Sequence, residues 1–113
     1  MVAAAYTLFV ASLERRMAAL DLRTPDAFTG FVLTGKLTLP ALQSTFAQLP
    51  EGVTELMCHP GYYDQDLQNA PTMLKRKREI EQKAVADSIW REWLSERGIR
   101  LTSFRTLASA SAA

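Results

Sequence analysis

The residue with the clearest chemical potential is His59, the only histidine in the chain, in the stretch ELMCHPGYYD (residues 55–64). An imidazole titrates near neutral pH, so it can give or take a proton with little tuning. Pro60 and Gly61 follow at once and predict a sharp turn, which would leave the ring at the C-terminal end of a strand. Two interpretations are open: a general acid or base, or a histidine that hydrogen-bonds a loop carbonyl and ends the strand.

Other reactive arrangements around His59 have less support. Consecutive strand residues point to opposite faces, so Cys58 is a poor partner for His59 and is expected in the core. The sequence has no G-x-S-x-G turn, which excludes that type of serine nucleophile. One histidine without clustered carboxylates is a thin set of ligands, so no metal site built by this chain alone is predicted.

Two tyrosines follow the histidine. Tyr62 and Tyr63 lie in the turn-rich segment 60–71, which is long for a connection in a compact domain; such segments are usually functional or mobile. Their rings could stack on a sugar, or they could simply cover the core, and the sequence leaves both interpretations open.

The basic run Lys75–Arg78 is the strongest local charge. It continues into Glu79 and Glu81 on a predicted helix, which indicates a solvated face, although a guanidinium such as that of Arg78 could reach the loop after His59. Thirteen basic and twelve acidic residues give a net charge of +1. Neither nucleic acid nor a membrane is therefore expected as a partner.

Helices and strands alternate around these residues. Residues 2–20 predict an amphipathic helix, too short in its apolar run for a membrane span, because apolar side chains recur at three- and four-residue steps: Tyr6, Phe9, Val10, Leu13, Met17 and Leu20. Residues 28–35 predict a strand. Thr38 is expected to cap a helix that ends before Pro50. Residues 52–59 predict a second strand, buried on both faces.

The second half predicts two helices and a strand. One helix should begin near Pro71 or Thr72, and a second, capped by Asp87 or Ser88, should end at Gly98 with an apolar stripe of Trp90, Trp93 and Leu94. Residues 99–104 predict a third strand, and residues 108–113 a disordered tail. The chain is thus predicted to be one α/β domain over residues 1–107, with about three parallel strands and four helices. A single cysteine favours a reducing, cytoplasmic setting.

Four blocks in this order resemble the C-terminal part of the YdjC-like carbohydrate deacetylases, which include chitooligosaccharide deacetylases and a branch associated with hopanoid biosynthesis. The blocks are FTGFVLTGKL, LPEGVTELMCHPGYYD, LKRKREIE and RGIRLTSFRTL. The resemblance covers roughly residues 26–107. It implies part of a distorted (β/α) barrel that removes acetyl groups from N-acetylated sugars.

The resemblance also implies roles for particular residues. Family members hold a divalent metal, magnesium or zinc, through an Asp and two His of their N-terminal half, and an Asp base activates water. A histidine in a Leu-x-x-His setting protonates the departing amine, which carries that role to His59. Substrate contacts are expected from Tyr62, Tyr63, Asp64 and Arg78.

The sequence departs from the family in lacking the metal-binding half. It has no Asp-Asp pair, no His-x-His and no second histidine, and 113 residues are too few to close a barrel of about 250. We therefore expect a C-terminal fragment that is inactive alone, binds no metal by itself, and has an N-terminal half of the same enzyme as a candidate partner. The alternative is a small non-catalytic interaction or scaffold domain derived from that fold.

Overall fold

The structure is a computed structural model that describes residues 2–110, with the side chains of residues 9–108. Its elements are α1 (Val2–Ala19), β1 (Ala27–Thr29), a 3₁₀ turn (Phe31–Leu33), α2 (Leu39–Phe46), β2 (Thr54–Leu56), α3 (Gln65–Asn69), α4 (Arg76–Ala86), α5 (Ser88–Glu96) and α6 (Phe104–Ala110). The strands form a two-stranded parallel sheet. The α/β class is confirmed, with two strands and six α-helices in residues 2–110 instead of three and four.

The chain divides into two compact units. The first contains the residues up to Phe28 together with Pro50–Glu55. Its helix α1 confirms the predicted N-terminal helix, and Phe9, Leu13 and Leu20 of the expected apolar stripe remain exposed. The side chain of Tyr6 lies outside the described side chains.

Asp26 joins the two chain segments of the first unit. Its Oδ2 accepts a hydrogen bond from the Val53 amide at 2.7 Å, and the Val53 carbonyl accepts from the amides of Asp26 and Ala27 at 2.8 and 3.1 Å. Gly52 has a φ of 105°, and a Cβ there would collide with the Asp26 carboxylate. A glycine is therefore required at this approach.

The second unit contains Thr29–Leu49 and the residues from Leu56 onward, and it holds the buried core. The Phe46 ring meets Trp90 edge-on with centroids 4.9 Å apart, and Trp93 stacks on Trp90 at 5.4 Å. The core consists of Leu37, Leu42, Phe46, Ala84, Trp90 and Leu94. These contacts confirm the predicted apolar stripe of Trp90, Trp93 and Leu94 on α5. Each large buried side chain contributes about 1.5–3 kcal/mol to stability.

The predicted caps of α2 and α5 are also confirmed. Thr38 Oγ1 accepts from the Ala41 amide at 3.4 Å, and Asp87 Oδ1 accepts from the Ile89 amide at 2.9 Å. Gly98 ends α5 with a φ of 67°. Its amide donates to the Ser95 carbonyl, while the next amide donates to Leu94, the hydrogen-bond pattern of a Schellman motif.

The strand predicted over residues 28–35 was wrong beyond Thr29. The Thr29 carbonyl accepts from the Met57 amide at 2.8 Å, and the backbone then turns at Gly30, whose φ is 100°. A Cβ at Gly30 would collide with the Met57 carbonyl oxygen. Because the backbones approach so closely, the chain leaves the sheet here and forms the 3₁₀ turn. The second strand is likewise shorter than predicted and ends at Leu56.

The third predicted strand, over residues 99–104, was also wrong. After the Schellman turn the chain runs without a strand partner in the described residues, and α6 begins at Phe104. Leu101 keeps 64% of its surface exposed, so its apolar pattern does not mark a buried strand. Residues 108–110, expected in the tail, belong to α6, and residues 111–113 lie outside the described residues.

Helix α4 begins at Arg76, later than predicted. The residue before it, Lys75, contacts the C-terminal end of α3. Lys75 Nζ donates to the carbonyls of Leu67 and Gln68, both at 3.0 Å, and to that of Ala70. These are the carbonyls that the C-terminal end of a helix leaves without partners. Lys75 therefore stabilises α3, an element that was predicted as loop.

Candidate functional site

His59 lies three residues beyond the end of β2, and its side chain is 27% exposed. Its backbone is held from α4 on both sides of the residue. The His59 amide donates to Glu81 Oε2 at 2.5 Å, and the His59 carbonyl accepts from Arg78 Nη1 at 3.5 Å. The Gly61 amide then donates to the Arg78 carbonyl at 3.1 Å. The strand predicted to end at His59 ends at Leu56 instead, so His59 lies in the segment that follows the strand, and α4 holds its backbone there.

The Glu81 carboxylate is the buried charge of this region, with 1% of its surface exposed. Oε1 accepts from the Gly35 amide at 2.6 Å, and Oε2 accepts from the His59 amide. Oε2 is also 3.8 Å from His59 Nδ1. Burial of a carboxylate is unfavourable unless its oxygens are satisfied, and here both are. The prediction that Glu81 lies on a solvated face was wrong.

A spacing signal for Glu81 was present in the sequence. Glu81 and Ala84 are three residues apart on α4 and therefore share a face, and both are buried. Glu79 pairs with Lys83 at 3.5 Å on an exposed face, as its spacing predicts. The charge pattern alone did not distinguish the two glutamates, since the partners of Glu81 are backbone amides distant in sequence.

Of the residues predicted for substrate contact, Arg78 and Tyr63 are partly buried and Tyr62 is exposed. Arg78 reaches His59 through its Nη1, and its Nε is buried without a hydrogen-bond partner among the described residues. Tyr62 is 72% exposed, so its ring is accessible. Tyr63 is half-buried, with the Arg76 guanidinium 4.3 Å from its ring centroid. Arg76 therefore occupies one face of that ring.

Asp64 has a structural role that the sequence did not suggest. Its Oδ1 accepts from the Leu67 amide at 2.9 Å and so caps the N-terminus of α3. The residue itself is exposed. A cap of this kind orders the segment that follows His59, whether or not Asp64 also contacts a ligand.

Cys58 packs against the core, as predicted from its place beside His59. Burial, and then the negative charge of Glu81, raise the pKa of the Cys58 thiol above its ordinary value of 9.0. Both effects disfavour the thiolate, which is the nucleophilic form of cysteine. At neutral pH the protonated thiol of Cys58 is therefore favoured over the nucleophilic thiolate.

The described residues do not fit a divalent metal. None of them form a group of three or more His, Cys, Asp or Glu side chains that could hold an ion. The buried carboxylate of Glu81 faces backbone amides, which are donors.

In the described part of the chain, no helix has the length and apolar character needed to cross a membrane.

Comparison with known proteins places this geometry in context. A sequence profile described as "YdjC-like protein" matches residues 2–96. The chain is 30% identical over 94 residues to a carbohydrate deacetylase from Thermoanaerobacter pseudethanolicus, covering 83% of this chain and 37% of that protein. It is 33% identical over 90 residues to a carbohydrate deacetylase from Vibrio parahaemolyticus, covering 74% and 34%.

A solved structure is also similar. It is a crystal structure from Enterococcus faecalis V583 of a protein provisionally named a cellobiose-phosphate cleavage protein. It matches with a TM-score of 0.66 and 26% identity, over 78% of this chain and 34% of that one. The chain thus spans about a third of the length of the relatives that it matches.

Proposed function

The chain belongs to the YdjC-like family, and from that premise we propose that it contributes the proton-donating side of a carbohydrate deacetylase site. His59 is the proposed general acid. One observation carries the proposal: α4 holds the His59 backbone at both its amide and its carbonyl, while the ring keeps part of its surface exposed. A proton donor needs this combination of a fixed position and access to a ligand.

The proposed reaction is hydrolysis of the N-acetyl group of an amino sugar. Water adds to the acetamide carbonyl, and the C–N bond then breaks to release acetate and the sugar amine. An amine anion is a very poor leaving group, so the nitrogen must receive a proton as the bond breaks. His59, as an imidazolium, gives that proton to the nitrogen and becomes neutral imidazole.

Three features support a sugar-binding surface beside His59. The accessible ring of Tyr62 offers a flat apolar face for a sugar ring. Arg78 already contacts the His59 carbonyl, and Asp64 orders the segment between them and α3. We propose that Tyr62, Tyr63, Asp64 and Arg78 contact the substrate. The name of the E. faecalis neighbour refers to a phosphorylated disaccharide, so N-acetylated disaccharides that also carry a phosphate join the substrates to assay.

We further propose that the groups that activate water, with magnesium or zinc, belong to the part of the relatives that this chain does not match, within a distorted (β/α) barrel. The support is the shared third of their length and the lack of a metal-binding group in the described residues. On this proposal the chain alone does not deacetylate. The single cysteine agrees with a reducing, cytoplasmic setting.

A chimera tests the proposal. This chain replaces the stretch of the T. pseudethanolicus deacetylase that it matches, and acetate release from N-acetylglucosamine oligomers is measured. We expect an active chimera and a rate about 10²–10⁴-fold lower after His59→Ala, because general acid catalysis contributes that much. Lys83→Ala, on an exposed side chain of α4, is the matched control and should keep the rate. Unchanged acetate release by the His59→Ala chimera would exclude the proposed acid.

The alternative function is a non-catalytic interaction domain. The apolar side chains of Val32 and Met73 are 84% and 96% exposed, and this alternative would have a partner cover them. A chain that melts cooperatively by itself, together with an inactive but folded chimera, would support this alternative over the deacetylase.

A further inference from the structure

We propose that Glu81 is the positioning residue of His59, and that it keeps the proton of the neutral imidazole on Nδ1 so that Nε2 faces the substrate. This inference rests on the proposed function, since it assigns the nitrogen that carries the catalytic proton. Glu81 itself does not contact the substrate in this account. It acts only through His59.

The buried Glu81 carboxylate accepts hydrogen bonds from two separate loops. Oε1 binds the amide of Gly35, which is 46 residues away in sequence, and Oε2 binds the amide of His59, which is 22 residues away. The Glu81 carboxylate therefore connects the loops that contain Gly35 and His59 to α4. Removal of either oxygen would leave a buried amide without a partner, which is strongly unfavourable. The His59 backbone therefore has one well-defined position.

One nitrogen of the His59 ring lies near the Glu81 carboxylate. His59 Nδ1 is buried and has no hydrogen-bond partner among the described residues, and Glu81 Oε2 lies 3.8 Å from it. An ionised carboxylate can only accept hydrogen bonds. A lone pair on Nδ1 would face negative charge, whereas an N–H there would be attracted to it. The favoured neutral form therefore carries its proton on Nδ1.

A distance of 3.8 Å is longer than a hydrogen bond, so the contact in this state is an electrostatic one. Catalytic hydrogen bonds are often long without a ligand and shorten when the substrate binds. Because Nδ1 lies out of solvent contact while 27% of the side chain is exposed, the accessible edge of the ring is the one with Nε2. After protonation, Nε2–H is the donor to the leaving amine.

The test uses the single histidine of the chain, which gives one set of imidazole signals. Long-range ¹H–¹⁵N NMR of the full chain, at a pH where the ring is neutral, reports which nitrogen carries the proton. We expect Nδ1–H with an unprotonated Nε2. A spectrum in which Nε2–H dominates would overturn the proposal, and this result needs no variant.

Glu81→Gln supplies the second measurement, with Glu79→Gln on the same helix as its control. Glu81→Gln removes the negative charge that faces Nδ1, so the Nε2–H fraction should rise, whereas Glu79→Gln should leave it unchanged. An unchanged spectrum for folded Glu81→Gln would overturn the proposal. In the chimera, Glu81→Gln should lower kcat about 100-fold with little change in KM, as expected for a misplaced catalytic group.

The two proposals fail separately. If His59→Ala leaves chimera activity unchanged while the wild-type chain shows Nδ1–H, the acid role fails but the positioning by Glu81 stands. If His59→Ala removes activity while the wild-type chain shows mainly Nε2–H, the acid role stands and the positioning by Glu81 is overturned.

Discussion

At the scale of single residues, the Glu81 carboxylate accepts hydrogen bonds from two amides that are far apart in sequence. His59 could be predicted as a candidate because the imidazole, the following Pro60–Gly61 and the preceding apolar run are adjacent in the chain. Glu81 could not be distinguished from Glu79 by charge pattern, because its partners are amides of distant loops, and its one local signal is the three-residue spacing from Ala84. A buried carboxylate that binds backbone amides leaves little local signal.

The raised pKa of Cys58 gives a prediction at the same scale. The folded chain holds the thiol proton to higher pH than the unfolded chain, so the thiol contributes stability that is fully present below about pH 9 and is lost as pH rises beyond it. The free energy of unfolding of the wild type should therefore fall, relative to Cys58→Ala, as the pH rises above about 9.

Urea denaturation at several pH values measures this difference. Cys58→Ala controls for the titration of tyrosines and lysines, which both proteins share. A difference between the two proteins that stays constant across this range would show that the Cys58 thiol titrates alike in the folded and unfolded chain.

At the scale of elements, the capping residues were predicted correctly and the strand lengths were not. Thr38 and Asp87 cap their helices through contacts within three residues, which a sequence shows directly. The ends of β1 depend instead on the approach of Met57 to Gly30, a contact between separate parts of the chain. The run IRLTSF has strand-like composition, but a strand also needs a neighbouring edge, and the described sheet has only two strands.

Substitutions at two glycines can measure how the close contact between Gly30 and Met57 affects the free energy of unfolding. Gly98 has a φ of 67° and nothing within 4 Å of an added Cβ, so Gly98→Ala should cost about 1 kcal/mol from the left-handed backbone alone. Gly30→Ala adds a collision with the Met57 carbonyl and should cost at least twice as much as Gly98→Ala.

Chemical denaturation followed by tryptophan fluorescence suits this comparison, since both tryptophans lie in α5 of the second unit. Equal losses of stability for the two variants would mean that the Met57 carbonyl adds nothing to the cost of a side chain at position 30.

At the scale of the whole molecule, the α/β class followed from the alternation of elements, and the family followed from four motif blocks in order. The number of strands and the two extra helices, α3 and α6, did not follow. Helix α3 depends on Lys75 reaching back to its carbonyls, and α6 lies where a strand was expected. The chain spans about a third of its relatives, so the complete reaction is a property that we propose for a larger assembly.

Protonation of the leaving amine by His59 can be isolated by varying the leaving group in the chimera. An N-acetylated sugar needs a proton on its leaving nitrogen, whereas 4-nitrophenyl acetate releases a stable phenolate without one. We expect His59→Ala to lower kcat for the N-acetylated sugar by about 10²–10⁴-fold and to leave hydrolysis of the aryl ester nearly unchanged. Equal losses on both substrates would contradict this role, because they would show that His59 supports the structure of the site and does not act as its acid.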